Sequence, residues 1–271
     1  MQQVRQPAVA GAFYAGQGAV LSRDLSALMA TARAAGASHA DAPKVIVVPH
    51  AGYIYSGATA ALAYMRLSSV RKTIRRVVLL GPVHRVPVRG LALPDVDAFA
   101  TPLGNIEIDQ LAVAAITALP QVVVSRAAHA TEHSLEVQLP FLQSVLEDFK
   151  LLPLVVGDAT SAQVAEVLEA LWGGPETLIV ISTDLSHFLP YRAAQTVDQQ
   201  TVQSILALDG RLTHQQACGA TPVNGLLLAA RQHHLQAQLL GLCNSGDSAG
   251  DKGRVVGYAA FAFTADPLHD H

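Results

Sequence analysis

Lys44-Val45-Ile46-Val47-Val48-Pro49-His50-Ala51-Gly52 is the stretch on which the fold turns. Its four consecutive β-branched residues lie between Pro43 and Pro49. A short unbroken apolar run of this kind marks a strand buried on both faces, as in the middle of a parallel sheet. The strand hands His50 to its C-terminal edge, and Ala51-Gly52 then turns the backbone away. In open α/β sheets that edge is where ligands bind.

Two further stretches repeat the design. Residues 76–81 form a second buried run that ends in Gly81-Pro82-Val83-His84. Residues 178–182 form a third, which runs into Thr183-Asp184-Leu185-Ser186-His187. Around these runs, apolar spacing predicts helices over 21–35, 57–67, 109–119, 134–147, 162–172, 193–208, 213–217 and 222–233. Shorter strands are expected over 90–93, 121–125, 151–156, 239–243 and 255–263. Pro140 should kink or break the 134–147 helix. Residues 5–14 read as an extended lead-in, 97–104 as a loop and 265–271 as a disordered tail. Strands alternating with helices predict one α/β domain over 1–271, an α/β/α sandwich around a largely parallel or mixed central sheet.

Composition narrows the function. Of 271 residues 51% are hydrophobic and 14% charged, which suits a large core and not a disordered chain. Eighteen basic against 21 acidic residues give a net charge of −3, without the basic excess of a general nucleic-acid binder. The one basic cluster, Arg71, Lys72, Arg75 and Arg76, reads as a solvated loop face. No apolar run approaches the ~20 residues that span a bilayer. Residues 1–11 are polar and carry Arg5 and Pro7, so no secretory leader is expected. The two cysteines form no CxxC pair, which points to a reducing, cytoplasmic setting. Low charge and a mean hydropathy of +0.31 fit a homo-oligomer as well as a large core.

Parallel strands bring their C-terminal ends together, so His50, His84 and His187 should converge on one sheet edge. Imidazole is the commonest metal ligand, and converging histidines are a metal-site signature. Cys218 lies in the turn Ala217-Cys218-Gly219-Ala220-Thr221-Pro222. It reads either as a small buried hydrophobe or as a thiolate near a metal, whereas Cys243 sits in a β pattern and reads as core. In Glu132-His133-Ser134-Leu135-Glu136, His133 and Glu136 share a face. Either they cap a helix start, or His133 reaches the site as a proton-transfer group. Asp184, three residues before His187, is placed to orient that imidazole. His269 and His271 can bind metal adventitiously in the tail.

With these motifs in hand the chain resembles the MEMO family, whose bacterial and archaeal members are often called AmmeMemoRadiSam system protein B. The resemblance covers nearly the whole chain. It rests on Arg5-x-Pro7-Ala8-Val9-Ala10-Gly11 with Phe13-Tyr14, Pro49-His50-Ala51-Gly52-Tyr53 with Tyr55-Ser56-Gly57, and Leu80-Gly81-Pro82-Val83-His84. The 132–136 motif, Ser182-Thr183-Asp184-Leu185-Ser186-His187 and Ala217-Cys218-Gly219 complete it. The family is similar in fold to class III extradiol dioxygenases, which hold non-haem Fe(II) with two histidines and a glutamate. The resemblance implies metal ligation by His50 and His84, with Cys218 standing where the dioxygenases have their carboxylate. It implies an acid/base role for His187. It also implies iron or copper as cofactor and a functional link to a radical SAM protein. A thiolate in place of a carboxylate shifts the site toward copper, zinc or a different iron chemistry.

The first expectation is therefore a metal-dependent oxidoreductase acting on an unidentified small-molecule substrate. Its ligands are His50, His84 and Cys218, its catalytic groups are His187, Asp184 and His133, and its metal is Fe(II), with copper or zinc as alternatives. A second is a non-catalytic binding scaffold with a vestigial pocket. A third is a metal-independent enzyme with Cys218 as nucleophile and His187 or His133 as base.

Overall fold

The structure, a computed structural model, describes residues 2–36, 42–248 and 251–265. The chain begins with a short strand, β1 (Val4–Arg5), followed by helix α1 (Gly18–Ala34), strand β2 (Val45–Val48) and helix α2 (Tyr53–Met65). Strands β3 (Arg76–Pro82), β4 (Leu91–Leu93), β5 (Ala98–Thr101) and β6 (Gly104–Glu107) come next. Helix α3 (Gln110–Ile116), strand β7 (Val122–Val124) and helices α4 (Arg126–Ala130) and α5 (Leu139–Val145) lead to β8 (Lys150–Val156). Then follow α6 (Ser161–Ala170), β9 (Thr177–Ser182), β10 (His187–Leu189), α7 (Tyr191–Leu206) and α8 (Ala220–Gln232). The long strands β11 (Leu235–Asn244) and β12 (Val255–Ala265), with α9 (Ser245–Ser248) between them, close the domain.

Nine strands form the main sheet in the order β10-β12-β2-β9-β3-β8-β4-β7, with β11 on the far side of β12. The middle four, β2, β9, β3 and β8, are parallel, and β12 and β4 flank them antiparallel. The residues of β2 show why these sit centrally. Val45 to Val48 are each 0% exposed, and burying each such side chain contributes about 1.5–3 kcal/mol. Val45 and Val47 point into one apolar cluster with α6 and α8, whereas Ile46 and Val48 point into the other with α1, α2 and α5. A two-faced core demands an unbroken apolar strand, and this is the α/β/α sandwich expected from the sequence. Register aligns the strand ends: Val48 stands beside Ser182, Leu80 beside Ile181 and Pro82 beside Val156. The turns that follow β2, β3 and β9 therefore share one edge.

Some expectations are corrected. The stretch 97–104 is no loop: β5 pairs with β1 and β6 in a separate three-stranded sheet. Four residues of mostly small side chains leave too little periodicity to reveal such a strand. No helix forms over 213–217, because Asn224 takes both Leu212 N–H and Leu212 C=O (2.9 Å each) and holds that segment in turns. The helix expected over 134–147 is a 3₁₀ turn (Glu136–Gln138) running into α5, with Pro140 in the first turn of α5 where its missing N–H costs nothing. Helix α4, capped by Ser125 Oγ on Ala128 N–H, was not expected at all. Of the tail, Ala265 ends β12, and the rest lies outside the described residues.

Candidate metal centre

At the shared edge, His50, His84 and His133 each present one ring nitrogen, all within 4.8 Å of one another. Ring centroids are 5.3 Å apart for His50–His84, 5.4 Å for His50–His133 and 4.7 Å for His84–His133. Among the described residues, no other such group of three or more histidine, cysteine or acidic donors occurs.

The hydrogen bonds behind the rings set the protons. Ser182 Oγ donates its one proton to Ser134 C=O at 2.6 Å, so it can only accept from His50 Nδ1 at 2.9 Å. Gln138 Nε2 donates to the same oxygen and to Pro49 C=O, and Tyr64 O–H holds Gln138 Oε1. His50 is thereby fixed as the Nδ1–H tautomer, and its Nε2 is left as an acceptor that faces the site, with Cys218 Sγ 3.4 Å away. His84 is held by Glu132, whose Oε1 lies 2.9 Å from Nδ1 and whose Oε2 accepts the His84 backbone N–H. Glu132 Oε1 also accepts the N–H groups of His133 and Ser134. Burial alone would raise this carboxyl, but the bonds from His84 and Ser134 bring it down to about 2. It is therefore ionised, and His84 donates to it from Nδ1 and keeps Nε2 for the site.

His133 is different. Its Nδ1 is buried with no hydrogen-bond partner; Glu132 Oε1 is 3.3 Å away but outside hydrogen-bond geometry. An orphaned buried polar atom is uncommon. Burial pushes His50 well below the usual imidazole range, aided by His84 and His133. Burial likewise lowers His133 to about 4, with His84 and Arg85 adding to it against Glu132. Buried imidazoles held neutral, with ring nitrogens close together, suit a cation, and a carboxylate-backed histidine is the usual support of a metal ligand. The residues fit a metal.

Cys218 and Asp184 line the other side of His50. Cys218 Sγ is 3.4 Å from His50 Nε2 and accepts the Asp184 N–H at 3.3 Å, but it falls outside the close three-histidine group. Burial and then the Asp184 charge push its thiol up to about 12. Gly219 makes this approach feasible, since a Cβ there would lie 2.7 Å from Thr183 Cβ. Asp184 Oδ1 accepts the His50 backbone N–H at 2.7 Å, its Oδ2 is 3.9 Å from His50 Nε2, and burial raises it to about 7. His187 donates Nδ1–H to Leu185 C=O at 2.8 Å, which leaves Nε2 as a proton acceptor. Burial and the nearby His84 lower its pKa against that bond. Asp184 therefore anchors the His50 turn, and a carbonyl, not Asp184, orients His187.

Glu136 lies elsewhere. It accepts Arg5 Nη1 (2.7 Å), the N–H groups of Ala8 and Val9, and Tyr14 O–H (2.7 Å). The first and fifth residues of the 132–136 motif thus fix opposite partners, one the site and the other the N-terminal lead-in. Glu132, Ser182 and Gln138 were not singled out by the sequence reading. The available signal was a carboxylate directly before His133, and it carries no information about which histidine it serves.

The chain matches the Memo-like protein family over residues 5–262. It is 36% identical to a MEMO1 family protein of Aquifex aeolicus, with 96% of this chain and 99% of that protein covered. A MEMO1 family protein of Metallosphaera sedula is 31% identical with the same coverage, and one of Methanosarcina mazei is 36% identical over 95% and 98%. An uncharacterized protein from Escherichia coli K12 has a similar fold, with a TM-score of 0.52 at 14% identity over 80% of this chain and 98% of that one.

Proposed function

This chain belongs to the Memo-like protein family, and we propose that it is a non-haem metal protein whose Fe(II) or copper serves redox chemistry on a small substrate. The observation that carries the reading is the trio of imidazoles of His50, His84 and His133, each with one ring nitrogen within 4.8 Å of the other two. Nitrogen ligands of this kind suit iron, copper and zinc alike. His50 and His84 are the ligands fixed by their neighbours. His133 offers the third nitrogen, and Cys218 offers sulfur on the opposite flank of His50. A thiol held near 12 gives up its proton only when a metal takes its place.

A metal held by these residues would supply an electron couple for chemistry with O2. The chain does the rest. His187, with its proton fixed on Nδ1, accepts a proton at Nε2 and returns it. Asp184 and Ser182 hold the two ends of His50, its backbone N–H and its ring Nδ1.

The test is oxygen uptake by iron- or copper-loaded protein across a panel of small oxidisable molecules, with His187→Ala alongside. Substrate-dependent uptake that falls by about 10²-fold or more in the variant supports the reading. Metal-loaded protein that consumes no O2 with any compound, beside a reproducible protein partner, moves it to a binding scaffold.

A further inference from the structure

The main sheet has one long open edge. β11 pairs only with β12, and among the described residues no backbone group of 236–243 bonds to any other segment. Open edges of this length are ordinarily blunted with lysine, proline or inward-pointing charge. The ten residues Leu-Gln-Ala-Gln-Leu-Leu-Gly-Leu-Cys-Asn contain no charge and no proline. Leu242 is 37% exposed, and Leu239 and Leu240 are only half-buried. Beside the edge runs a groove lined by Leu239 and Leu242 with Thr196, Gln199, Gln200 and Gln203 of α7.

We propose that this edge and the neighbouring face of α7 are the contact through which two copies of the chain form a two-fold dimer, with β11 antiparallel to β11. The occupant follows from symmetry and charge. Near a two-fold axis each group meets its own copy, so a charge there repels itself. The exposed α7 positions facing the groove (Thr196, Gln199, Gln200 and Gln203) are all uncharged. A primary amide carries both donor and acceptor and is its own hydrogen-bond complement. Gln199, Gln200, Gln203 and Gln236 therefore match a second copy, and among the described residues no exposed side chain of 235–243 or of the groove carries a charge to steer a different partner. The strand edge is likewise complementary to itself when antiparallel. A bulge shifts the β11–β12 register between Leu239 and Gly241. It bends the strand there, so the new ladder is carried by the straight arm 235–239, centred on Ala237. This contact stands independently of any metal.

Sedimentation of the full chain from about 1 to about 100 µM tests it. The expected particle has twice the 28.5 kDa chain mass. Gln236→Lys and Gln236→Glu, both at an exposed position, should each raise the dimer dissociation constant about tenfold or more. An equimolar mixture of the two should associate again as a heterodimer. Gln110→Lys, on α3 away from this edge, should leave the dimer intact. A wild type that stays monomeric throughout, or a dimer indifferent to both Gln236 charges, overturns the proposal.

Discussion

Glu132 and His84 are joined at two points, ring to Oε1 at 2.9 Å and backbone N–H to Oε2 at 2.6 Å. One carboxylate thus fixes where the residue sits, how its ring is turned and which nitrogen faces the centre. Glu132→Gln keeps the shape but turns an amide toward groups that need an acceptor. Metal affinity should fall by about 10- to 100-fold, measured by competition with a chelator, with the circular dichroism spectrum retained. Unchanged affinity would mean that His84 is no ligand.

Ser182 performs the matching task for His50. Ser182→Ala leaves Gln138 Nε2, Ser134 C=O and His50 Nδ1 each short of a partner. A loss of about 1–3 kcal/mol in denaturant stability is expected, together with weaker metal binding because the tautomer is no longer fixed. Ser182→Thr, which retains the hydroxyl, should recover part of the binding.

Arg5 and Glu136 form a buried pair at 2.7 Å, with side chains 5% and 0% exposed. Removing one partner strands the other, so Glu136→Gln should cost about 3–5 kcal/mol in urea unfolding. Tyr14→Phe deletes one hydrogen bond to the same carboxylate and should cost about 1–2 kcal/mol. Neither should change the number of metal ions bound by folded protein.

These pairs mark how far the sequence could be read. The buried β-branched runs 45–48, 76–81 and 178–182 announce their strands because a two-faced core leaves no room for alternation, and parallel pairing then dictates that His50, His84 and the 183–187 turn meet. The site's support is less legible. Glu132, Glu136 and Gln138 look alike in the sequence, and their tasks depend on which distant backbone or ring they meet. Asp184 shows the same limit: spacing suggested that it orients His187, but folding places it on His50 and gives His187 the Leu185 carbonyl. Short β5 and the side-chain-held turns at 213–217 were hidden because pairing partners, not periodicity, create them.

Acid should weaken the metal-free fold. His129 is 2% exposed with Nε2 2.8 Å from Ala92 C=O. Burial, and then Arg5, hold it down near 4 against that bond. Its unfolded value is about 6.5, so between these values the unfolded chain binds more protons. The contribution is complete above about pH 6.5 and is lost as pH falls toward 4, roughly 2 kcal/mol of it between pH 7 and pH 5. His129→Gln should flatten that part of the stability–pH profile. A profile as steep as wild type would remove His129 from the account.

We propose that His50 and His84 hold a metal, with His133 or Cys218 as the third ligand. The direct measurement is anaerobic reconstitution with Fe(II) or copper followed by metal analysis, in a background carrying His269→Ala and His271→Ala. His84→Ala, His133→Ala and Cys218→Ser are compared in that background. About one tightly held ion per chain is expected, lost in His84→Ala, with the weaker of the other two variants naming the third ligand. An empty site in the parent, or full occupancy in His84→Ala, would contradict it.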